Sequence, residues 1–128
     1  LAGQRATVPV SAETAVALAS PANTIAGLMA ALTTGTEAWG PRTALNLPAL
    51  STTVGDIAAA LGRVAGPAAL DLLDWQPDER IAAIVGAWPS RFHAARAHGL
   101  GLLPDASVDA LVAQYVAEHR AAITLPLN

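Results

Sequence analysis

Apolar and polar positions follow two periods along the chain, and each period predicts its own kind of element. The short apolar runs "ATVPV", "AVALA", "TALNLP" and "LDLLDW" are typical of strands. Longer segments carry apolar residues three and four positions apart, which predicts amphipathic helices. The apolar stripes comprise Ile25, Leu28, Met29 and Leu32; Val54, Ile57, Leu61 and Val64; Ile81, Ile84, Val85 and Trp88; and Val108, Leu111, Val112, Tyr115 and Val116.

The pattern predicts about five helices and three or four short strands, without an internal repeat. Strands this few and this short do not build a doubly wound sheet of their own, so the predicted class is helix-rich α+β. We treat residues 1–128 as a single unit.

Residues typical of helix ends flank several of the stripes. Ser20-Pro21 is typical of a helix start, because serine caps the helix and proline fits its first turn. Thr53 and Asp56 have the spacing of a capping box, and Gly66-Pro67 predicts the end of that helix. Pro77 predicts the start of the next one.

The composition leaves little polar material for a surface. Hydrophobic residues make up 53 % of the chain and charged residues 13 %, whereas an ordinary soluble domain has about 25 % charged residues. One explanation is an alanine-rich composition. The other is an apolar face that contacts a partner.

Charge and residue types exclude several classes of function. The net charge is −3 and no basic cluster occurs, which argues against nucleic-acid binding. The absence of cysteine excludes disulfides and thiolate sites. No apolar run reaches the roughly 20 residues of a membrane span, and the first residues do not resemble a signal peptide, so a cytoplasmic protein is the expectation.

No complete set of catalytic, cofactor-binding or metal-binding residues is recognisable. His93 and His98 are five positions apart, which does not form a helical metal pair. The glycines at 99 and 101 follow a predicted helix instead of opening one, unlike a phosphate-binding loop. Tyr115 is the sole tyrosine and the chain has no lysine, so a Tyr-x-x-x-Lys pair cannot form.

Several segments resemble the C-terminal part of the extended short-chain dehydrogenases/reductases, the NAD-dependent epimerase/dehydratase family. The segments are "LNLPALSTTVGDIAAALGRVAG", "VALASPANTIAGLMAAL" and "RFHAARAHGLGLLPDASVDALVAQYVAEH". Within this family they are most similar to the D-erythronate dehydrogenase branch. The resemblance covers nearly the whole chain.

The resemblance implies a division of labour within a longer enzyme. An N-terminal Rossmann half would bind NAD(P) and carry the Tyr/Lys pair, and this chain would be the substrate-binding C-terminal segment, inactive alone. The N-terminal half would be its partner, and the family likeness implies a homodimer formed largely through upstream helices.

Departures from the family pattern bear on the substrate. Ala15 and Ala17 stand near a position where sugar-nucleotide epimerases place a diphosphate-binding arginine, which favours a small sugar acid over a nucleotide sugar. The candidate substrate-binding residues are Ser20, Trp88 and Arg91. Trp88 is also explained by a core role at the end of its stripe, and Arg91 by a solvated charge just inside a helix start.

Three functions remain open. The first is the substrate-binding part of an NAD-dependent oxidoreductase that acts on a small hydroxy or sugar acid. The second is the same part of a nucleoside-diphosphate-sugar epimerase or dehydratase. The third is a non-catalytic helical interaction domain, whose apolar face would bind another protein.

Overall fold

The computed structural model describes residues 1–42 and 44–126 and confirms a helix-rich α+β fold. Its elements are β1 (Ala6–Val8), β2 (Ala15–Leu18), α1 (Pro21–Thr33), α2 (Thr36–Trp39), β3 (Leu50–Thr53), α3 (Val54–Ala65), α4 (Pro67–Leu70), β4 (Leu73–Trp75), α5 (Glu79–Gly86), α6 (Ala95–Gly99), α7 (Val108–Glu118) and a 3-10 turn (Arg120–Ala122). In the part of the chain described, no helix is both long enough and apolar enough for a membrane span.

The four strands form two separate two-stranded sheets. β1 and β4 are parallel, with Ala6 opposite Leu73. β2 and β3 are antiparallel, with Ala15 opposite Thr53 and Leu18 opposite Leu50. Since neither pair is wide enough to bury a face alone, both sheets depend on the helices around them.

Two helix starts, those of α1 and α3, form as the sequence predicts. The Ser20 hydroxyl accepts a hydrogen bond from the Asn23 N–H and caps α1 ahead of Pro21. At α3 both halves of the capping box form, since Thr53 accepts from the Asp56 N–H and Asp56 accepts from the Thr53 N–H. These bonds satisfy N–H groups that a helix start otherwise leaves unpaired.

The core is small and built largely from alanine and valine. α3 packs against α4 and α7, where Ala60, Ala65, Ala69, Val112 and Val116 are buried. Small side chains allow the helices to approach closely. Many of the larger apolar side chains lie outside this core.

One predicted strand is wrong. Residues 44–48 of "TALNLP" form no strand, and Thr43 lies outside the described residues. The strand that pairs with β2 is β3, which begins after Pro48. Pro48 has no N–H to donate to a ladder, so pairing is displaced toward Leu50–Thr53.

Two predicted helix starts are also wrong. α5 begins at Glu79, and Asp78 caps it by accepting the Ile81 N–H, so the helix starts later than Pro77 predicts. Arg91 is not inside a helix start, because α6 begins only at Ala95. Pro89 interrupts the chain, and residues 89–94 are irregular.

Exposed apolar side chains are concentrated on two helices and their ends. On α1 they are Ile25, Leu28, Met29 and Leu32, and at α5 they are Ile81, Ile84 and Trp88. The stripes predicted from the sequence are therefore real, but on these helices they face outward. The structure therefore shows an exposed apolar face, as the second explanation of the composition requires.

Candidate functional site

Ser20 is the buried centre of a partly buried hydrogen-bond network between the end of β2 and the loop before α7. It is 2 % exposed. Its N–H donates to Asp105 Oδ2 at 2.7 Å, and its hydroxyl donates to Asp105 Oδ1 at 2.7 Å. Asn23 Nδ2 adds a bond of 3.0 Å to the Leu103 carbonyl. The network fixes the loop 103–105 to the start of α1.

The carboxylate in this network is held in its charged form. Burial alone would raise the pKa of Asp105, but hydrogen bonds, first of all from the Ser20 side chain, outweigh burial and lower the pKa. The Ser20 hydroxyl donates to Asp105 and accepts from Asn23, so both of its roles are taken. A direct substrate contact by Ser20 stays a prediction.

Trp88 is not in the core. Its side chain follows α5 and is 63 % exposed, which overturns the core explanation offered by the apolar stripe. The helix ends at Gly86, before the last residue of the stripe, so Trp88 lies outside the helix. The indole ring is therefore accessible to a ligand or to another layer of protein.

Arg91 lies in the irregular segment that follows Trp88. The segment is anchored through Ser90, whose carbonyl accepts the Ser51 hydroxyl at 2.8 Å. Ser51 stands opposite Ala17 in the β2–β3 pair. The structure thus attaches the Trp88–Arg91 segment to β3, at the position that pairs with Ala17 of β2. Within the described residues no hydrogen bond to the Arg91 side chain occurs, so its guanidinium is available for an anion.

An open cleft of about 620 Å³ is lined in part by the residues that follow this segment. Its lining residues are Pro41, Arg42, Ala44, Leu45, Asn46, His93, Ala94, Ala95, Arg96 and Ala97. Arg96 donates to the carbonyls of Trp39, Arg42 and Ala44 at 2.7–3.0 Å. This guanidinium holds the irregular loop in place and has a structural role.

The described residues contain no group of three or more histidine or acidic side chains that could hold a metal ion. His119 stacks on Tyr115 with ring centroids 4.4 Å apart, at the end of α7. Arg91 and Trp88 are both exposed and three positions apart in the chain. A guanidinium can bind a carboxylate, and an indole ring can cover a carbon chain. Neither side chain supplies a proton acceptor suited to oxidising an alcohol.

The sequence did not reveal Asp105, Arg96 or Ser51 as anchoring residues. Asp105 and Ser20 are 85 positions apart, so no local spacing connects them. Arg96 carries one signal that was available: it is a lone charge among alanines in "HAARAH". Such a residue in an otherwise apolar segment often has a specific partner.

Two curated proteins are similar to this chain over most of its length. D-erythronate dehydrogenase of Cupriavidus necator is 40 % identical over 116 residues, which cover 91 % of this chain and 36 % of that protein. D-erythronate dehydrogenase of Haemophilus influenzae is 33 % identical, with coverage of 91 % and 37 %. The resemblance to the C-terminal part of an extended short-chain dehydrogenase/reductase is confirmed. The chain spans little more than a third of these relatives.

Solved structures agree with this assignment. The nucleoside-diphosphate-sugar epimerase from Agrobacterium tumefaciens matches with a TM-score of 0.89 and 31 % identity, covering 95 % of this chain and 36 % of that one. L-threonine 3-dehydrogenase from Trypanosoma brucei matches with a TM-score of 0.77 at 15 % identity, over 97 % of this chain and 38 % of that one, which shows the fold alone. No protein-family model matches the chain. Its fold is that of the C-terminal part of the short-chain dehydrogenase/reductase family.

Proposed function

We propose that this chain is the substrate-binding part of an NAD-dependent oxidoreductase that acts on a small sugar acid of the D-erythronate type. The observation that carries the proposal is the 40 % identity to the Cupriavidus necator D-erythronate dehydrogenase across 91 % of the chain. The exposed pair Trp88 and Arg91 supports it, because a carboxylate and a short polyol chain are what such a pair can bind.

Each candidate residue has a distinct role in this proposal. Arg91 binds the substrate carboxylate through two N–H donors, a geometry that a guanidinium matches well. Trp88 packs its ring against the carbon chain and excludes water from it. Ser20 acts as a positioning residue, because its bonds to Asp105 fix the loop that follows α6.

The chain's own residues do not fit a dinucleotide. The four longest helices have a side-chain cap on their first turn, at Ser20, Thr53, Asp78 and Ser107. Three of these starts also carry a carboxylate, from Asp56, Asp78 and Asp109, which repels phosphate. We therefore assign NAD(P) and the Tyr/Lys pair to an N-terminal part of a longer polypeptide.

The substrate range of the full-length polypeptide tests the proposal. The protein is incubated with NAD and D-erythronate, erythritol or a uridine-diphosphate sugar. NADH absorbance is followed for the first two, and the nucleotide sugar is analysed by chromatography for its epimer, because epimerisation produces no net NADH. We expect NADH from D-erythronate and little from erythritol, which lacks the carboxylate that Arg91 binds. Activity restricted to the nucleotide sugar would refute the proposal.

A nucleoside-diphosphate-sugar epimerase is the second candidate function. It is favoured by the match to the Agrobacterium tumefaciens protein of that description, at a TM-score of 0.89. The sequence argues against it, because Ala15 and Ala17 stand near a position expected to carry a diphosphate-binding arginine. The nucleotide-sugar arm of the same assay decides between the two.

A further inference from the structure

α1 is an unusual helix for a protein surface. Its 13 residues contain no charged side chain. Ile25, Leu28, Met29 and Leu32 project from it and are 60 %, 58 %, 55 % and 80 % exposed. We call these four side chains the α1 face. A helix that carries no charge and shows a large apolar face is normally enclosed by protein.

The remaining contacts of α1 do not explain its stability. Its N-terminal end is fixed by Ser20 and Asn23 through their bonds to Asp105 and Leu103. Along its length the buried residue is Gly27, which lies so close to the Leu47 side chain that an added Cβ would come within 2.7 Å of it. A helix of this length is marginal in water without packing on its apolar side. The α1 face therefore needs a partner surface.

We propose that the α1 face is covered by apolar side chains of the N-terminal part of the same polypeptide. This rests on the proposed function, since that part would be the NAD-binding half. The length of the relatives supports this choice of partner. This chain covers 36 % of the Cupriavidus necator enzyme, so nearly two-thirds of such a protein lies outside it. The partner surface is apolar and uncharged where it meets α1, because α1 offers no charge to pair with.

A second copy of the chain is a less suitable partner for the α1 face. Stable interfaces between separate molecules bury about 800 Å² per partner and involve about 20–30 residues a side. The α1 face has four large side chains. Two parts of one polypeptide associate through a smaller surface, because their covalent connection keeps the effective concentration high.

Thiol labelling of the full-length polypeptide tests this covering. The chain has no cysteine, so Met29→Cys places a single thiol of this segment on the α1 face, and Glu37→Cys on exposed α2 is the matched control. Leu28→Cys serves as a second variant in case the first disturbs folding. Modification at each engineered position is read by peptide mass, which separates it from any thiol elsewhere in the polypeptide.

We expect labelling at position 29 to be about 100-fold slower than at position 37, at every protein concentration, as for a site exposed only by local opening. Equal rates at the two positions would overturn the proposal. Protection that disappears on dilution would show a second copy on the α1 face and would overturn it as well. Oxidation of D-erythronate is measured on the same samples, so a failure of the proposed function is recorded separately.

Discussion

At the residue scale, the pair Ser20 and Asp105 connects two distant segments through one partly buried carboxylate. The two carboxylate oxygens of Asp105 accept hydrogen bonds from the N–H and the hydroxyl of Ser20, at 2.7 Å each. Hydrogen bonds to a charged partner contribute about 1.5–3 kcal/mol. Removing the carboxylate also leaves the buried Ser20 hydroxyl without its acceptor.

Asp105→Ala is expected to lower the free energy of unfolding by about 2–3 kcal/mol, and Asp105→Asn by less, because an amide keeps one acceptor. Asp71→Ala removes an exposed carboxylate as a control and is expected to change stability by less than about 0.5 kcal/mol. Urea denaturation at neutral pH measures all three. A loss for Asp105→Ala no greater than for the control would show that the network contributes nothing.

The same carboxylate gives the stability a pH dependence. Its pKa in the folded chain is lowered below the unfolded value, so it contributes stability that is complete above the unfolded pKa of about 3.9. That contribution is lost as the pH falls through the folded pKa. The difference in unfolding free energy between the original chain and Asp105→Asn should therefore shrink below about pH 4. A difference that stays constant from pH 7 to pH 3 would contradict the ionised role.

Arg91→Gln is expected to raise the KM for D-erythronate about 10- to 100-fold and to leave kcat within a few-fold, because in the proposed site the arginine binds the carboxylate and does not react. Arg91→Lys should lie between, since it keeps the charge and loses the paired donors. Arg120→Gln at the far end of α7 is the control. Steady-state kinetics of the full-length polypeptide provide the readout, and an unchanged KM in Arg91→Gln would remove this residue from the site.

At the element scale, the start of α3 packs closely on the turn before β2. The Gly55 N–H donates to the Ala12 carbonyl at 2.8 Å, and an added Cβ at Gly55 would lie 3.0 Å from that oxygen. Gly86 at the end of α5 has open space at the same position. Close packing therefore requires a glycine at position 55, whereas no neighbouring atom requires one at position 86.

Gly55→Ala is expected to cost about 1–3 kcal/mol, because backbone atoms must move apart to admit the methyl group. Gly86→Ala should raise stability by up to about 1 kcal/mol, because alanine is the better helix former and meets no neighbour. Thermal unfolding of the two variants compares them directly. Similar effects in both would show that α3 does not press on this turn.

Local sequence rules predicted what depends on nearby residues. The capping box of Thr53 and Asp56 and the start of α1 at Pro21 both formed, since each involves residues three or four apart. The strand in "TALNLP" failed because pairing depends on a distant partner, β2, which takes Leu50–Thr53. Arg96 and its three carbonyl acceptors were likewise out of reach, because they are more than 50 positions away.

The proposed site was predictable only in outline. The sequence named Trp88 and Arg91, but it favoured a core position for the first and a helix start for the second. Apolar periodicity identifies a face without saying what covers it. Trp88 is 63 % exposed, so residues 1–42 and 44–126 leave most of it uncovered. The sequence of one segment therefore identifies an apolar stripe but not the surface that covers it.

At the scale of the whole molecule, an apolar flank on α1 and at α5 remains open to water. Large apolar patches of this kind usually mark contact surfaces. Prepared alone, residues 1–128 should bind a hydrophobic dye and scatter light as particles heavier than 12.9 kDa. Leu28→Gln combined with Leu32→Gln should reduce dye fluorescence several-fold, whereas Leu103→Gln, at an exposed leucine outside α1, should change it little. A monomer that binds no dye would contradict an apolar flank open to water.

NADH formation from D-erythronate most directly tests the claim that this chain is the substrate-binding part of an NAD-dependent dehydrogenase. The full-length polypeptide and residues 1–128 alone are assayed side by side with NAD, and calorimetry records whether each binds the cofactor. The proposed function predicts NADH and NAD binding for the full-length polypeptide and neither for residues 1–128. NAD binding by residues 1–128, or a full-length polypeptide that oxidises no sugar acid, would contradict it.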